Sequence, residues 1–162
     1  MGVSKGGGDV AAEIEPETTM TPRQVALVQD SWKKIVPIKD MAALLFYARL
    51  FELDPSLRPH FRKPLDQQGR KLMAMLGTAV GCLGRLEELT STVEDLGRRH
   101  AAYGVKDAHY DSVAEAFLWT LEQCLDLDFT PELRDSWTTA YTTLANVMKD
   151  AANDPAFSQA VA

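Results

Sequence analysis

Three polar side chains occupy positions where helical spacing calls for apolar ones. In the stretch "EDLGRRHAAYGV", His100 lies four residues after Leu96 and seven after Val93, which turns its imidazole toward the apolar face. Tyr47 stands three after Leu44 and four before Phe51, and Gln68 three after Leu65 and four before Leu72. An imidazole facing inward can bind a metal or move a proton. A phenol and an amide can donate hydrogen bonds to a small ligand. Left without partners, such groups cost about 1–3 kcal/mol each, so something inside must satisfy them. Each also has a plainer explanation. A lone histidine on an apolar face is commonly a core residue bonded to a backbone carbonyl, Tyr47 could send its hydroxyl to the surface, and Gln68 could be solvated at the edge of its stripe.

Other chemistries find less support. His60 stands between Pro59 and Phe61 and His109 sits in the first turn of a helix beside Asp107, neither with a ligand-type partner at i, i+4. No His/Cys/Asp/Glu cluster has zinc spacing, and Gly6 to Gly8 lack the strand and helix of a phosphate loop. No nucleophile-elbow motif is present. A net charge of −6, a pI near 5.0 and the lack of a Lys/Arg block argue against nucleic acid as a partner. No apolar run reaches the roughly 18 residues of a membrane span, so no membrane association is expected. Cys82 and Cys124 read as reduced thiols in a cytoplasmic protein.

The elements that must hold these residues are helices. "TPRQ" sets Thr21 as N-cap, Pro22 in the first turn and Gln24 at the capping-box position of a helix that Pro37 ends. A second helix spans about Ile38 to Leu53, its apolar face read through Met41, Leu44, Leu45, Tyr47, Ala48 and Phe51. "DPSLRPHF" supplies one short helical turn. Leu65 to Leu83 forms a long helix; Ser91 with Glu94 caps the next, stopped by Gly104; Tyr110 to Leu125 forms another; and Thr130 with Pro131 opens the last. The expected fold is all-α, with about seven helices and no strands. Residues 1–20 read as a flexible tail, 21–152 as one domain and 153–162 as a short C-terminal tail. Gly2 follows Met1, but the myristoylation motif is broken at Gly6.

The segments "LLFYARLFELDPSLRPHF", "QQGRKLMAMLG", "LGRRHAAYGV" and "FTPELRDSWTTAYTTLANVM", in this order, resemble the globins, most closely bacterial single-domain globins and neuroglobins. The resemblance covers about Thr21 to Asp150. It implies a globin fold around a haem pocket, with little or no helix between Phe61 and Gln68, and haem b (iron protoporphyrin IX) as cofactor. His100 matches the proximal ligand of the iron, Leu96 the leucine beneath the haem, and Phe61 the phenylalanine that wedges the porphyrin. Leu72 and Val105 match further haem contacts, and Tyr47 and Gln68 the two distal positions facing the sixth iron site. The three misplaced polar groups then share one explanation.

The resemblance further implies reversible binding of O₂, CO and NO at a five-coordinate iron, with high O₂ affinity, for O₂ binding, storage or transport. Two alternatives are NO dioxygenation, with an external reductase as partner, and gas or redox sensing.

Overall fold

The computed structural model describes residues 20–154. The N-terminal segment up to residue 19, with its broken lipidation motif, and the final eight residues lie outside the described residues. The chain folds as α1 (Pro22–Ile35), α2 (Lys39–Leu53), α3 (Leu65–Gly81), α4 (Thr90–Ala102), α5 (Asp107–Leu125) and α6 (Pro131–Ala152). Short 3₁₀ turns at Val36–Ile38, Pro55–His60, Leu83–Glu88 and Asp126–Asp128 link or extend them, and no strand occurs among the described residues. Counting the Pro55–His60 turn, this is the seven-helix pattern read from the sequence. The four residues 61–64 that follow it contain no helix.

The predicted caps form where local chemistry alone decides them. Thr21 Oγ1 accepts from Gln24 N–H at 3.1 Å, and Thr21 N–H donates to Gln24 Oε1 at 2.9 Å. Thr130 Oγ1 accepts from Leu133 N–H at 3.2 Å. Gly104, at φ +90°, ends α4 in a conformation that side-chain-bearing residues rarely adopt.

The Ser91/Glu94 capping box does not form. α4 begins at Thr90, and Leu89 before it (φ −102°, ψ −4°) continues directly from the Leu83–Glu88 turn. A side-chain cap needs an extended N-cap residue, and here the backbone is already helical on entry.

The apolar face of α2 also differs from expectation. Ala42, Ala43, Phe46, Tyr47 and Leu50 are buried, whereas Met41 and Leu44 are 60% and 58% exposed. The helix is apolar nearly all round, so its sequence has too little periodicity to say which side faces in. Tyr47 turns inward nonetheless.

The hydrophobic core draws on α1, α2, α3, α5 and α6. Trp137 meets Trp32 at 6.2 Å and Phe117 at 5.4 Å between ring centroids. Trp137 Nε1–H donates to buried Ser31 Oγ at 2.9 Å, and Ser31 in turn donates to Val28 O. This satisfies the polar atoms that α1 and α6 bury together.

Two close approaches set helix spacing. A Cβ on Gly69 of α3 would lie 2.9 Å from Ala43 Cβ of α2. A Cβ on Gly97 of α4 would lie 2.3 Å from Met148 O and 2.6 Å from Met148 Cα of α6. Hydrogen in place of a side chain lets the α4 and α6 backbones touch there, three residues before His100.

Candidate functional site

Packed α4 and α6 form one side of a cavity that α3 and α5 close on the other. Its volume is about 380 Å³, within the range of small-molecule sites, and its lining is almost wholly apolar. Leu72 and Leu76 line it from α3, Leu96 and His100 from α4, Val105 from the loop after α4, and Met148 from α6. The cavity's apolar walls suit a mostly apolar guest.

His100 is the chemically distinctive group in that wall. Its Nδ1–H donates to Leu96 O one turn back, at 2.7 Å. That bond fixes the tautomer, so the Nε2 lone pair is free and has no hydrogen-bond partner among the described residues. Burial lowers the pKa of the imidazole below its ordinary 6.5, the Leu96 bond opposes this, and neighbouring Arg99 lowers it further. His100 is therefore neutral at pH 7, the state a metal requires. An oriented, neutral imidazole facing an apolar cavity fits a flat, mostly apolar metallocofactor coordinated from one side. No cluster of three or more metal-binding side chains exists among the described residues.

Of the predicted site residues, the cavity brings His100, Leu96, Leu72 and Val105 together. It does not bring in Tyr47, Gln68 or Phe61. Phe46, one residue before Tyr47, forms the α2 part of the wall. Tyr47 is buried beside it, with its ring 5.3 Å from Phe61 and 6.1 Å from Phe51. Its hydroxyl makes no hydrogen bond among the described residues, and burial pushes its pKa up to about 12. Gln68 is half-buried, one helical turn before Leu72.

Two polar wall residues, Tyr141 and His109, were not among the predicted site residues. Tyr141 of α6 donates from its hydroxyl to Tyr110 O at 2.6 Å, tying α6 to the start of α5 across the cavity. His109, set aside earlier, is also in the wall: its Nδ1 accepts from Lys106 N–H at 2.9 Å, and its ring lies 5.7 Å from that of His60. His60 itself bonds Tyr103 O at 3.0 Å. The spacing Val105–His109–Val113 was the available signal for His109, since i, i+4 steps share a face. Cys82 and Cys124 are free and half-buried.

Burial raises the pKa of both Tyr47 and Tyr141 above the ordinary 10. The folded state thus holds protons that the unfolded chain releases above about pH 10, and stability is lost as pH rises from there. Urea unfolding at a series of pH values should show midpoints falling between about pH 10 and 12. Tyr141→Phe should flatten that fall, and an equally steep one would remove Tyr141 from this role.

The globin family model matches residues 44–148. The chain is 28% identical over 143 residues to neuroglobin of Danio rerio, covering 80% of this chain and 90% of that protein. It is 26% identical over 135 residues to a flavohemoprotein of Xylella fastidiosa, covering 82% of this chain but 34% of the relative. The solved structure of an engineered carbene transferase from Rhodothermus marinus superposes with a TM-score of 0.76. It covers 88% of this chain and 98% of its own at 24% identity, a likeness that speaks to the fold. No helix among the described residues is long and apolar enough to cross a membrane. With the family model spanning most of the helical domain, the chain belongs to the globin family.

Proposed function

We propose that this globin holds haem b in the cavity beside α4, with His100 Nε2 as the protein's ligand to iron, and binds O₂ reversibly with high affinity. The observation that carries the reading is the state of His100: Nδ1 engaged by Leu96 O, Nε2 free, neutral, and set in an apolar wall. Bound there, haem would supply an iron able to take O₂, CO or NO, with His100 as the protein group that holds it. The rest is done by the chain. The Leu96 bond holds the imidazole at a fixed rotation, so coordination costs it little ordering. Leu72, Leu96 and Val105 exclude water and match an apolar ring.

Tyr47 and Gln68 are the proposed distal donors. Tyr47 keeps its proton at physiological pH because its pKa stands at about 12, and its hydroxyl is uncommitted. Each donor bond to a partly charged ligand is worth about 1.5–3 kcal/mol, or roughly 10- to 150-fold in release rate. Replacing Tyr47 with Phe should therefore speed O₂ dissociation at least about tenfold, with a smaller change for neutral CO. Stopped-flow release kinetics would read this; an unchanged O₂ rate would exclude Tyr47.

The first test of the reading is the absorption spectrum of the haemin-supplied chain in ferric, reduced and CO-bound states. A five-coordinate ferrous form that takes CO is expected. A six-coordinate ferrous form would mean that an internal side chain fills the distal site, and no haem uptake would return His100 to a purely structural role.

A second reading is NO dioxygenation, in which NO, O₂ and one electron supplied by an outside reductase would give nitrate. The similarity to a flavohemoprotein favours it. NO consumption that continues only while a reductase is supplied would distinguish it from simple O₂ binding.

A further inference from the structure

The sequence shows no compact basic run, yet the fold produces a basic corner on an otherwise acidic protein. Between residues 58 and 71 lie Arg58, Arg62, Lys63, Arg70 and Lys71, with Asp66 as the one acid, while the chain as a whole carries −6. All five cations are exposed. Arg70 pairs with Asp66 at 3.7 Å, and Arg58 donates to Phe61 O. Arg62, Lys63 and Lys71 have no carboxylate partner among the described residues. Lys63, before α3, and Lys71, two turns into it, come together, and their contact lowers the pKa of Lys71 through hydrogen bonding and like charge. Five exposed cations against a single acid present a positive surface that a negatively charged partner would complement.

The corner also adjoins the cavity. Its His60 packs against His109 and close to Gly104, beside Val105, while Lys71 precedes Leu72; His109, Val105 and Leu72 all line the cavity.

We propose that this corner docks an acidic electron-carrier protein, which delivers single electrons to the haem iron. The inference rests on haem binding as proposed above. In each encounter the carrier loses one electron and ferric iron gains it, with no atom transferred. Any ferric protein left by ligand oxidation is returned to its gas-binding state in this way. Complementary charge raises the rate of productive encounter and makes it depend on salt.

The test uses the haem-loaded full chain and, as probe, a reduced [2Fe–2S] ferredoxin, an acidic one-electron carrier. Stopped-flow reduction of ferric protein should slow at least about tenfold between roughly 0.02 M and 0.5 M salt. The Lys63→Glu/Lys71→Glu double variant should be about tenfold slower at low salt and nearly salt-independent. Lys33→Glu/Lys39→Glu, an equal charge change at the junction of α1 and α2, should behave like the parent. Full reduction of every variant by dithionite, with unchanged spectra, would establish that folding and haem binding are intact. Equal ferredoxin rates for both double variants would overturn the proposal. So would self-association of the parent that Lys63→Glu/Lys71→Glu abolishes without changing ferredoxin rates, because the surface would then serve a second copy. Failure to take up haem would instead overturn the haem reading and this inference with it.

Discussion

Replacing His100 with Gly should leave a folded chain that loses haem on gel filtration, and added imidazole should restore a spectrum close to that of the parent. The expectation follows from what the substitution removes. Losing an outer-shell partner of a metal ligand costs about 10- to 100-fold in metal affinity, so losing the ligand itself should exceed about 100-fold. Glycine leaves a space shaped like the imidazole, and free imidazole can occupy it with its own N–H toward Leu96 O. Haem retention by the variant without imidazole would remove His100 from coordination. Haem loss without rescue, in a variant whose circular dichroism matches the parent, would place the role of His100 in shaping the cavity.

The second large effect is expected at Gly97. An added methyl group would lie 2.3 Å from Met148 O, inside any tolerable contact, and the obstructing atom is backbone that no rotamer change can move. Either α4 or α6 must shift. Overpacking of this kind costs about 1–3 kcal/mol, and a backbone clash puts Gly97→Ala near the upper end, at about 3 kcal/mol. Because His100 is three residues away on α4, the shift should also move the haem absorption bands. Gly81→Ala is the control: no atom lies within 4 Å of its added Cβ, and the change should be neutral or stabilising by up to about 1 kcal/mol. Urea denaturation of the two variants would decide it; a Gly97→Ala protein as stable as Gly81→Ala would show that the helices part freely.

Gly97 also marks the boundary of what the sequence could tell. The caps at Thr21 and Thr130 and the stop at Gly104 were legible because each depends on neighbours within a few residues. The inward turn of His100 was legible because α4 has a clear apolar stripe, and its carbonyl partner was the ordinary choice for a core histidine. Met41 and Leu44 were misplaced because α2 has little polar contrast to orient it. The Ser91 cap failed because the preceding turn, not the local motif, set the backbone at Leu89. Lys63 and Lys71, the Gly97–Met148 contact and the Tyr141–Tyr110 bond join residues from different elements or different turns, and no local pattern encodes them. The cavity itself holds four of the seven expected site residues; Tyr47, Gln68 and Phe61 stand beside it, on the two helices and the corner that border it.

The bond from His100 to Leu96 O has one more consequence. A peptide oxygen carries no full charge, so it draws the Nδ1 proton only weakly and the imidazole retains its neutral character. A carboxylate in that place would make the ring more basic. With haem bound as proposed, the weaker electron donation favours ferrous over ferric iron and gives little push toward cleaving an oxygen–oxygen bond. On the proposed reading, peroxide breakdown should therefore be slow.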